Sequence, residues 1–324
     1  MTPVKRRNKA TKRGVLFGAS LFAISAMTAA TALAATPVCN GKHIPIDTSV
    51  FTKPFANLAL GGNRGDFLID TGATQSQIDM RRYAVPEGMK IVLSGFSLPL
   101  AEGGVFAAAD LSSFAAPFGS QLGTIGTDFL SLGTIQFHYE QSQSFITLGR
   151  EACDHATLQR AGFTAVGLPG YYGADLRHLK RGMPNVPVIQ LRIGDATFPA
   201  QIDTGYGDFP RGVIQINGAL LRTLRMTGMP MHSLPSDVVT IGCSGTYAYE
   251  RWQIEREEVS IITPDGRVVA SYPPPLLELK TDVHCSGISM FDEPFAQIGA
   301  FWLSRWGTSV FDGLNSTVWI PGDP

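Results

Sequence analysis

The sequence predicts an all-β protein built from two related lobes, and three observations support this prediction. Short apolar runs alternate with turn residues, and 35 Gly and 21 Pro are spread along the 324 residues. The tripeptide Asp-Thr-Gly occurs twice, at positions 70–72 and 203–205. The residues around the two copies match at a constant offset of 133, which indicates an internal duplication.

The composition describes an ordered protein and gives no sign of a nucleic-acid partner. Hydrophobic residues make up 44% of the chain and charged residues 16%, which is enough apolar surface for a substantial core. The formal net charge of −1 gives no reason to expect nucleic-acid binding. The six histidines lack metal-binding spacing, and no serine-hydrolase elbow or nucleotide-binding loop occurs. We therefore expect no metal and no cofactor.

The first 34 residues have the features of a signal peptide. A basic start from Lys5 to Arg13 precedes the apolar stretch "GVLFGASLFAISAMTAATALA", which closes on the small-x-small pattern Ala32-Leu33-Ala34. An uncleaved membrane anchor is the alternative, since the stretch approaches the roughly 20 residues that span a bilayer. Its many Ala, Ser and Thr residues favour cleavage. We expect an exported protein, periplasmic or secreted, without stable membrane insertion after cleavage.

Four cysteines lie beyond this segment, and an even number in an exported chain favours disulfide bonds. Four cysteines permit three connectivities, among which the sequence does not choose. We favour Cys39–Cys153 and Cys243–Cys285, because each pair then falls inside one half of the chain. Free thiols are the alternative if the compartment is not oxidising.

Each half of the mature chain is predicted to be a β lobe, the first over residues 35–157 and the second over 187–324. "FANLALGG" in the first half and "VIQLRIGD" in the second alternate as half-buried strands do and end at glycine turns. A further strand then leads into each Asp-Thr-Gly. Residues 158–186, rich in Gly, Pro and Tyr, are predicted to connect the lobes.

A second repeated element supports the duplication. Ile125-Gly126 in "TIGTDFLSLGTIQFHY" matches Ile298-Gly299 in "QIGAFWLSRWGTSVFD". Both copies run on toward a final apolar strand, "SFITLG" in the first half and "STVWIPG" in the second. Each half therefore has the order strand, DTG loop, long middle, Ile-Gly element and closing strand.

Two facing DTG loops suit acid–base chemistry. Two carboxyl groups a few Å apart cannot both ionise, so Asp70 and Asp203 would share one proton; aspartic proteases are the established example of this effect. One carboxylate can then take a proton from a water while the other donates to a carbonyl oxygen. The threonine hydroxyls can hydrogen-bond across the repeat, and the glycine N–H groups can donate to the carboxylates.

Both DTG loops, both Ile-Gly elements and the C-terminal "SVFDGLNSTVWI" resemble the pepsin-like, two-lobed aspartic proteases. The resemblance covers most of the mature chain and implies a cleft between two β lobes. It agrees with a disulfide in the C-terminal lobe, Cys243–Cys285. It implies roles for the loop residues: catalysis by Asp70 and Asp203, and loop support by Thr71, Gly72, Thr204 and Gly205.

The chain departs from this family at several substrate-facing positions. Ser or Thr usually follows the glycine, whereas this chain has Ala73, as retroviral-type proteases do, and Tyr206, which is expected to fill part of the cleft. The best candidate for the flap over the cleft is residues 91–111, with a turn at Gly103-Gly104. This segment lacks the family's Tyr, and Phe106 is expected to cover substrate instead.

The leading hypothesis is an exported aspartic endopeptidase that acts as a monomer on peptide or protein substrates. A catalytically inactive binding or inhibitor protein on the same scaffold is the alternative, because fold does not fix function. A one-lobe protease that dimerises is unnecessary, since one chain supplies both halves.

Overall fold

The fold follows from the alternation of short apolar strands and glycine turns along most of the chain. The computed structural model describes residues 39–92, 105–140, 143–168, 186–207, 212–235, 239–242, 245–281 and 287–322. All of them belong to one compact unit, residues 37–324. The predicted signal peptide, the flap turn at Gly103-Gly104, Cys243 and Cys285 lie outside the described residues.

The described residues before position 169 form twelve strands and three short helices. The strands are β1 (Lys42–Pro45), β2 (Phe55–Leu60), β3 (Asn63–Ile69), β4 (Gln77–Asp79), β5 (Lys90–Val92), β6 (Val105–Ala109), β7 (Ala115–Ala116), β8 (Gly119–Ser120), β9 (Gly123–Ile125), β10 (Thr134–His138), β11 (Phe145–Gly149) and β12 (Phe163–Ala165). The helices are α1 (Met80–Tyr83), α2 (Thr127–Leu130) and α3 (His155–Arg160).

From residue 186 onward, the described ranges contain thirteen further strands, two α-helices and a 3₁₀ turn at Ile288–Met290. The strands are β13 (Val188–Ile193), β14 (Ala196–Asp203), β15 (Ile214–Ile216), β16 (Met231–Leu234), β17 (Val239–Gly242), β18 (Gly245–Ala248), β19 (Glu250–Ile254), β20 (Val259–Ile262), β21 (Val268–Tyr272), β22 (Leu276–Leu279), β23 (Ala296–Gly299), β24 (Thr308–Asp312) and β25 (Thr317–Pro321). The helices are α4 (Gly218–Met226) and α5 (Ala300–Trp306).

Two sheets carry the internal repeat. Lobe one is the six-stranded sheet in the order β2-β3-β9-β4-β6-β5, and lobe two is the nine-stranded sheet in the order β16-β19-β22-β15-β23-β14-β13-β20-β21. Six neighbouring strands of lobe two repeat the arrangement of lobe one. Taken in the order β13-β14-β23-β15-β22-β19, they correspond to β2-β3-β9-β4-β6-β5, and each neighbouring pair has the same parallel or antiparallel direction in both lobes. The all-β fold with two related lobes that the sequence predicts is therefore confirmed.

A third sheet, in the order β1-β11-β10-β24-β25-β12, joins the two halves of the chain. Strand β10 pairs with β24, so the strands that follow the two Ile-Gly elements lie side by side. Strand β12, inside the predicted connection, pairs with β25. This sheet ties the two lobes together, while the exact boundaries of the lobes stay a prediction.

The core explains why the strands that enter the DTG loops are apolar throughout. Phe67, Ile69 and Ile202 are completely buried, and Ile69 pairs with Ile125 as Ile202 pairs with Ile298. Both faces of these central strands are covered, so alternation gives way to a continuous apolar run. At the start of β3, Gly61 and Gly62 both have positive φ and form the tight turn that connects β2 to β3.

The disulfide Cys39–Cys153 is present, with its Cα atoms 5.2 Å apart, as predicted. It links Cys39, at the start of the described chain, to Cys153, which directly precedes Asp154, the N-cap residue of α3. In the described ranges, no helix has the length and apolar character that crossing a membrane requires.

Candidate active site

The two DTG loops leave equivalent strands at the centre of the two lobes. Asp70 follows β3 and Asp203 ends β14. The strand before each aspartate is fixed in the same way: Ile69 N–H donates to Pro54 O and Ile202 N–H donates to Pro187 O, both at 2.9 Å. The sequence offset of 133 is therefore also a structural equivalence.

Backbone N–H groups orient each carboxylate. Asp70 Oδ1 accepts from Gly72 N–H (2.8 Å) and Ala73 N–H (3.1 Å). Asp203 Oδ1 accepts from the N–H groups of Gly205 (2.9 Å) and Tyr206 (3.1 Å). Each loop thus folds back on its own aspartate, and this uses backbone donors that any residue except proline provides.

The two loops bring their aspartates together. A Cβ atom added to Gly72 would lie 2.5 and 2.7 Å from the two carboxylate oxygens of Asp203, and one added to Gly205 would collide with the Asp70 carboxylate. The two carboxyl groups also share a side-chain hydrogen bond. Glycine is required in both loops because each loop passes directly against the opposite aspartate.

The threonines of the two loops brace each other across the repeat. Thr71 Oγ1 donates to Ile202 O (2.8 Å), and Thr204 Oγ1 donates to Ile69 O (2.6 Å). Each hydroxyl also accepts a hydrogen bond from the backbone of the other threonine. Thr71 N–H donates to Thr204 Oγ1 at 2.9 Å, and Thr204 N–H donates to Thr71 Oγ1 at 3.2 Å. Both threonines are completely buried. This reciprocal network holds the two loops at a fixed separation.

The carboxyl pair carries an altered acidity. Loss of solvent, the negative charge of Asp203 and their shared hydrogen bond raise the pKa of Asp70 well above its ordinary value, against the opposing effect of the Gly72 and Ala73 N–H groups. Both aspartates are half-buried as whole residues. The pair can therefore hold one proton between its members and still meet a water or a ligand.

The Ile-Gly elements lie beneath the loops. Thr127 N–H donates to Ala73 O, and Ala300 N–H donates to Tyr206 O, both at 2.8 Å. A Cβ atom on Gly126 would come within 2.7 Å of Ala73 O, and one on Gly299 would collide with Tyr206 O. These contacts explain why both elements need glycine at the same place.

Each lobe supports this contact with different side chains. In lobe one, Ser76 Oγ accepts from Gly126 N–H (2.8 Å) and donates to Asp128 Oδ1 (2.7 Å). Asp128 Oδ2 also accepts from Ser76 N–H at 2.9 Å. The support in lobe one is thus a compact clamp of one hydroxyl and one carboxylate.

In lobe two, the half-buried Tyr206 leads into a buried polar chain, a contact that the sequence did not predict. Its hydroxyl donates to Glu278 Oε2 at 3.1 Å. Glu278 is 1% exposed and forms an ion pair with buried Arg251, with Arg251 Nε 3.5 Å from Glu278 Oε1. The chain continues through three glutamines, linked side chain to side chain: Gln215, Gln297 and Gln201.

Lys53 is a charged neighbour of the pair that the sequence analysis missed. Burial lowers its pKa, and the charges of Asp70 and Asp203 act in the opposite direction. Lys53 occupies the position equivalent to the buried Val186 in the repeat, directly before the aligned Pro54 and Pro187. The alignment of charged Lys53 with apolar Val186 was the one feature of the sequence that could have drawn attention to Lys53.

Phe106 differs from its expected place. Its ring is completely buried and packs on Phe129, with ring centroids 5.3 Å apart. Strand β6 lies between β4 and β5, so the alternate residues Phe106 and Ala108 point into the core of lobe one. Phe106 therefore does not cover the cleft. No cluster of three or more metal-ligating side chains occurs among the residues that the structure describes.

Comparisons with known proteins find distant likenesses among solved structures. No protein-family model matches the chain, and no curated protein matches it. Among solved structures, Basic 7S globulin from soybean aligns with 87% of this chain and 94% of its own, at 12% identity and a TM-score of 0.46. At this distance the likeness carries no argument, and the fold and site rest on the geometry described above.

Proposed function

We propose that this protein is an exported aspartic endopeptidase in which Asp70 and Asp203 activate a water molecule to hydrolyse a peptide bond. The observation that carries this proposal is the approach of the two carboxyl groups across the repeat, braced by Thr71 and Thr204. Two carboxyl groups that share one proton supply both an acid and a base.

The chemistry needs only groups that the two loops provide. The ionised carboxylate takes a proton from water as the water attacks the peptide carbonyl, and the protonated carboxyl donates its proton to the carbonyl oxygen. The backbone N–H groups of Gly72 and Gly205 keep the carboxylates oriented. Proton transfer of this kind contributes about 10²–10⁴-fold to the rate.

Export is the second part of the proposal. The N-terminal segment has the order of a signal peptide, with a basic start, an apolar stretch and the Ala32-Leu33-Ala34 pattern. The Cys39–Cys153 disulfide is consistent with an oxidising compartment. We propose that the mature chain acts as a monomer, since the repeat supplies both halves of the site.

The activity is tested with Asp70→Asn and Asp203→Asn in the mature protein. Each change removes one member of the acid–base pair, so we expect a loss of at least about 10²-fold in cleavage of a denatured protein at mildly acidic pH. Asp195→Asn, in an exposed turn between β13 and β14, is the matched control and should keep full activity.

The same assay separates the protease from an inactive binding protein. If wild type cleaves and both dyad variants cleave equally well, the mechanism is wrong. If wild type shows no cleavage over a peptide library and a pH series and does not bind pepstatin, the inactive binding protein replaces the enzyme.

A further inference from the structure

A short loop of lobe one forms a wall beside the aspartate pair. We call residues 47–55 the wall loop. Asp47 and Phe55 close it by exchanging two backbone hydrogen bonds, Asp47 N–H to Phe55 O at 2.8 Å and Phe55 N–H to Asp47 O at 2.9 Å. Inside it, Lys53 N–H donates to Val50 O at 3.0 Å. The loop therefore has a defined shape.

The wall loop holds strained backbone directly before Lys53. Phe51 and Thr52 have φ values of 52° and 61°. The left-handed conformation is unfavourable for L-residues, and a β-branched threonine adopts it rarely. Such strain persists where the surroundings impose it, and it is concentrated at functional sites.

The wall loop reaches across to the second DTG loop. A Cβ atom on Gly207, two residues beyond Gly205, would lie 2.5 Å from Phe51 O and 2.9 Å from Lys53 Cγ. The stem of the lysine thus packs on lobe two, and its ammonium lies in the electrostatic field of both aspartates. Lys53 is half-buried, and its nitrogen is not among the solvent-excluded, unsatisfied atoms.

Among the described residues, no carboxylate forms an ion pair with Lys53, and the two aspartates act on it through their charge alone. Over the described ranges, no carboxylate oxygen lies within 4.0 Å of its nitrogen. Taking an ammonium group out of water is costly unless an anion or hydrogen-bond acceptor replaces the lost solvent. A half-buried cation beside the reacting groups, with no ion-pair partner in the described ranges, is suited to an anion that arrives with the ligand.

We propose that Lys53 is a specificity residue that binds a substrate carboxylate, the side chain of an Asp or Glu close to the scissile bond. This inference rests on the proposed peptidase function and names its substrate class. The equivalent position in lobe two holds buried, apolar Val186, so the selection applies on one side of the scissile bond only. Charge-assisted hydrogen bonds of ammonium to carboxylate provide the affinity.

The test uses peptides that differ only by Glu or Gln, placed in turn at each position flanking the scissile bond. At a pH near 6, where a free Glu is ionised, wild type should prefer the Glu peptide at one position by about ten-fold in kcat/KM. Because the readout is the Glu/Gln ratio, an effect of Lys53 on the aspartate pair that is common to both peptides cancels.

Three variants sharpen the test. Lys53→Met should abolish the preference, Lys53→Arg should retain it, and Lys53→Glu should favour a Lys peptide over the Glu peptide. Lys42→Met, an exposed cation on β1, is the matched control and should keep the wild-type ratio. Circular dichroism checks that each variant is folded.

Failure of this inference is distinct from failure of the proposed function. If wild type cleaves both peptides equally at every position, or if Lys53→Met keeps the preference, Lys53 is not the specificity residue and the peptidase proposal stands. If neither peptide is cleaved, the dissociation constants of analogues with a non-hydrolysable bond give the same Glu/Gln ratio. A ratio near one in that measurement also overturns the inference.

Discussion

The two lobes share one strand frame but support their DTG loops with different chemistry. Lobe one uses the short Ser76–Asp128 clamp, in which the hydroxyl holds Gly126 N–H. Lobe two uses Tyr206, whose hydroxyl reaches the buried Glu278–Arg251 pair. The backbone geometry around the two aspartates is nevertheless the same to within about 0.1 Å in its hydrogen bonds. A duplicated site thus constrains the loop backbone, while the side chains beneath it are free to diverge.

The largest difference between the lobes should appear when each support loses its carboxylate. Glu278→Ala leaves Arg251 buried without its ion-pair partner, which costs about 3–5 kcal/mol of unfolding free energy. Asp128→Ala in lobe one removes hydrogen bonds from a partly exposed clamp and costs about 1–3 kcal/mol. Chemical denaturation of the mature protein measures both.

Equal losses for these two variants would contradict the distinction between a buried charged support and a partly exposed one. Glu278→Gln is the companion variant, because it keeps the shape of the side chain and removes only the charge. It should be less stable than wild type and more stable than Glu278→Ala.

Removing the threonine hydroxyls should have the same effect in both lobes, in contrast to the unequal losses expected for the two carboxylates. Thr71→Val and Thr204→Val each remove one hydroxyl and leave a buried carbonyl and N–H without that partner, so each should cost about 1–3 kcal/mol. Because the two hydroxyls belong to one network, the double variant should lose less than the sum of the single losses. Thermal or denaturant unfolding gives all three values.

A strongly unequal effect of the two single changes, or full additivity in the double variant, would show that the braces act separately. Ser131→Ala is a control outside the network, because its hydroxyl donates only to Thr127 O within lobe one. Its loss should add to that of either valine variant.

The smallest expected effect comes from the negative charge of the aspartate pair. Here the substitution should stabilise the protein, whereas the changes above destabilise it. The pKa of Asp70 is raised in the folded protein from a value of 3.8, so the folded state binds more protons than the unfolded state as the pH rises above about 4. Stability should therefore fall as the pH rises from this value through the folded pKa. Asp70→Asn removes this penalty and should raise the melting temperature at neutral pH.

Melting curves of wild type and Asp70→Asn over a pH series measure this effect. The two curves should lie closest near pH 4 and separate as the pH rises. A separation that grows toward low pH instead would mean that the folded protein holds Asp70 ionised, against the raised pKa.

Much of the architecture could be predicted, because it depends on local sequence patterns. Alternation and glycine turns located the strands before each DTG loop, and the constant offset between Asp70 and Asp203 identified the repeat. The pairing of cysteines by halves of the chain gave Cys39–Cys153. These features depend on residue spacing, and spacing is visible in a sequence.

Residue positions decided by packing between distant segments were harder to predict. Phe106 has the same apolar character whether it lies over a cleft or in the core, and only the place of β6 between its neighbours puts it inside. The hydrogen bond from Tyr206 to Glu278 could not be predicted, because the two residues are 72 positions apart in the sequence. The place of Lys53 depends on its packing against Gly207, which lies 154 residues further along the chain.

The sequence by itself determined the duplication, the β strands and the residue types at the two loops, since period and repetition are properties of the chain. Only the tertiary structure decided that the two DTG loops bring Asp70 and Asp203 together, that Tyr206 contacts the buried Glu278–Arg251 pair, and that Lys53 lies beside the two aspartates. The physical reason is range: alternation acts over a few residues, whereas these contacts join segments brought together by the packing of both lobes.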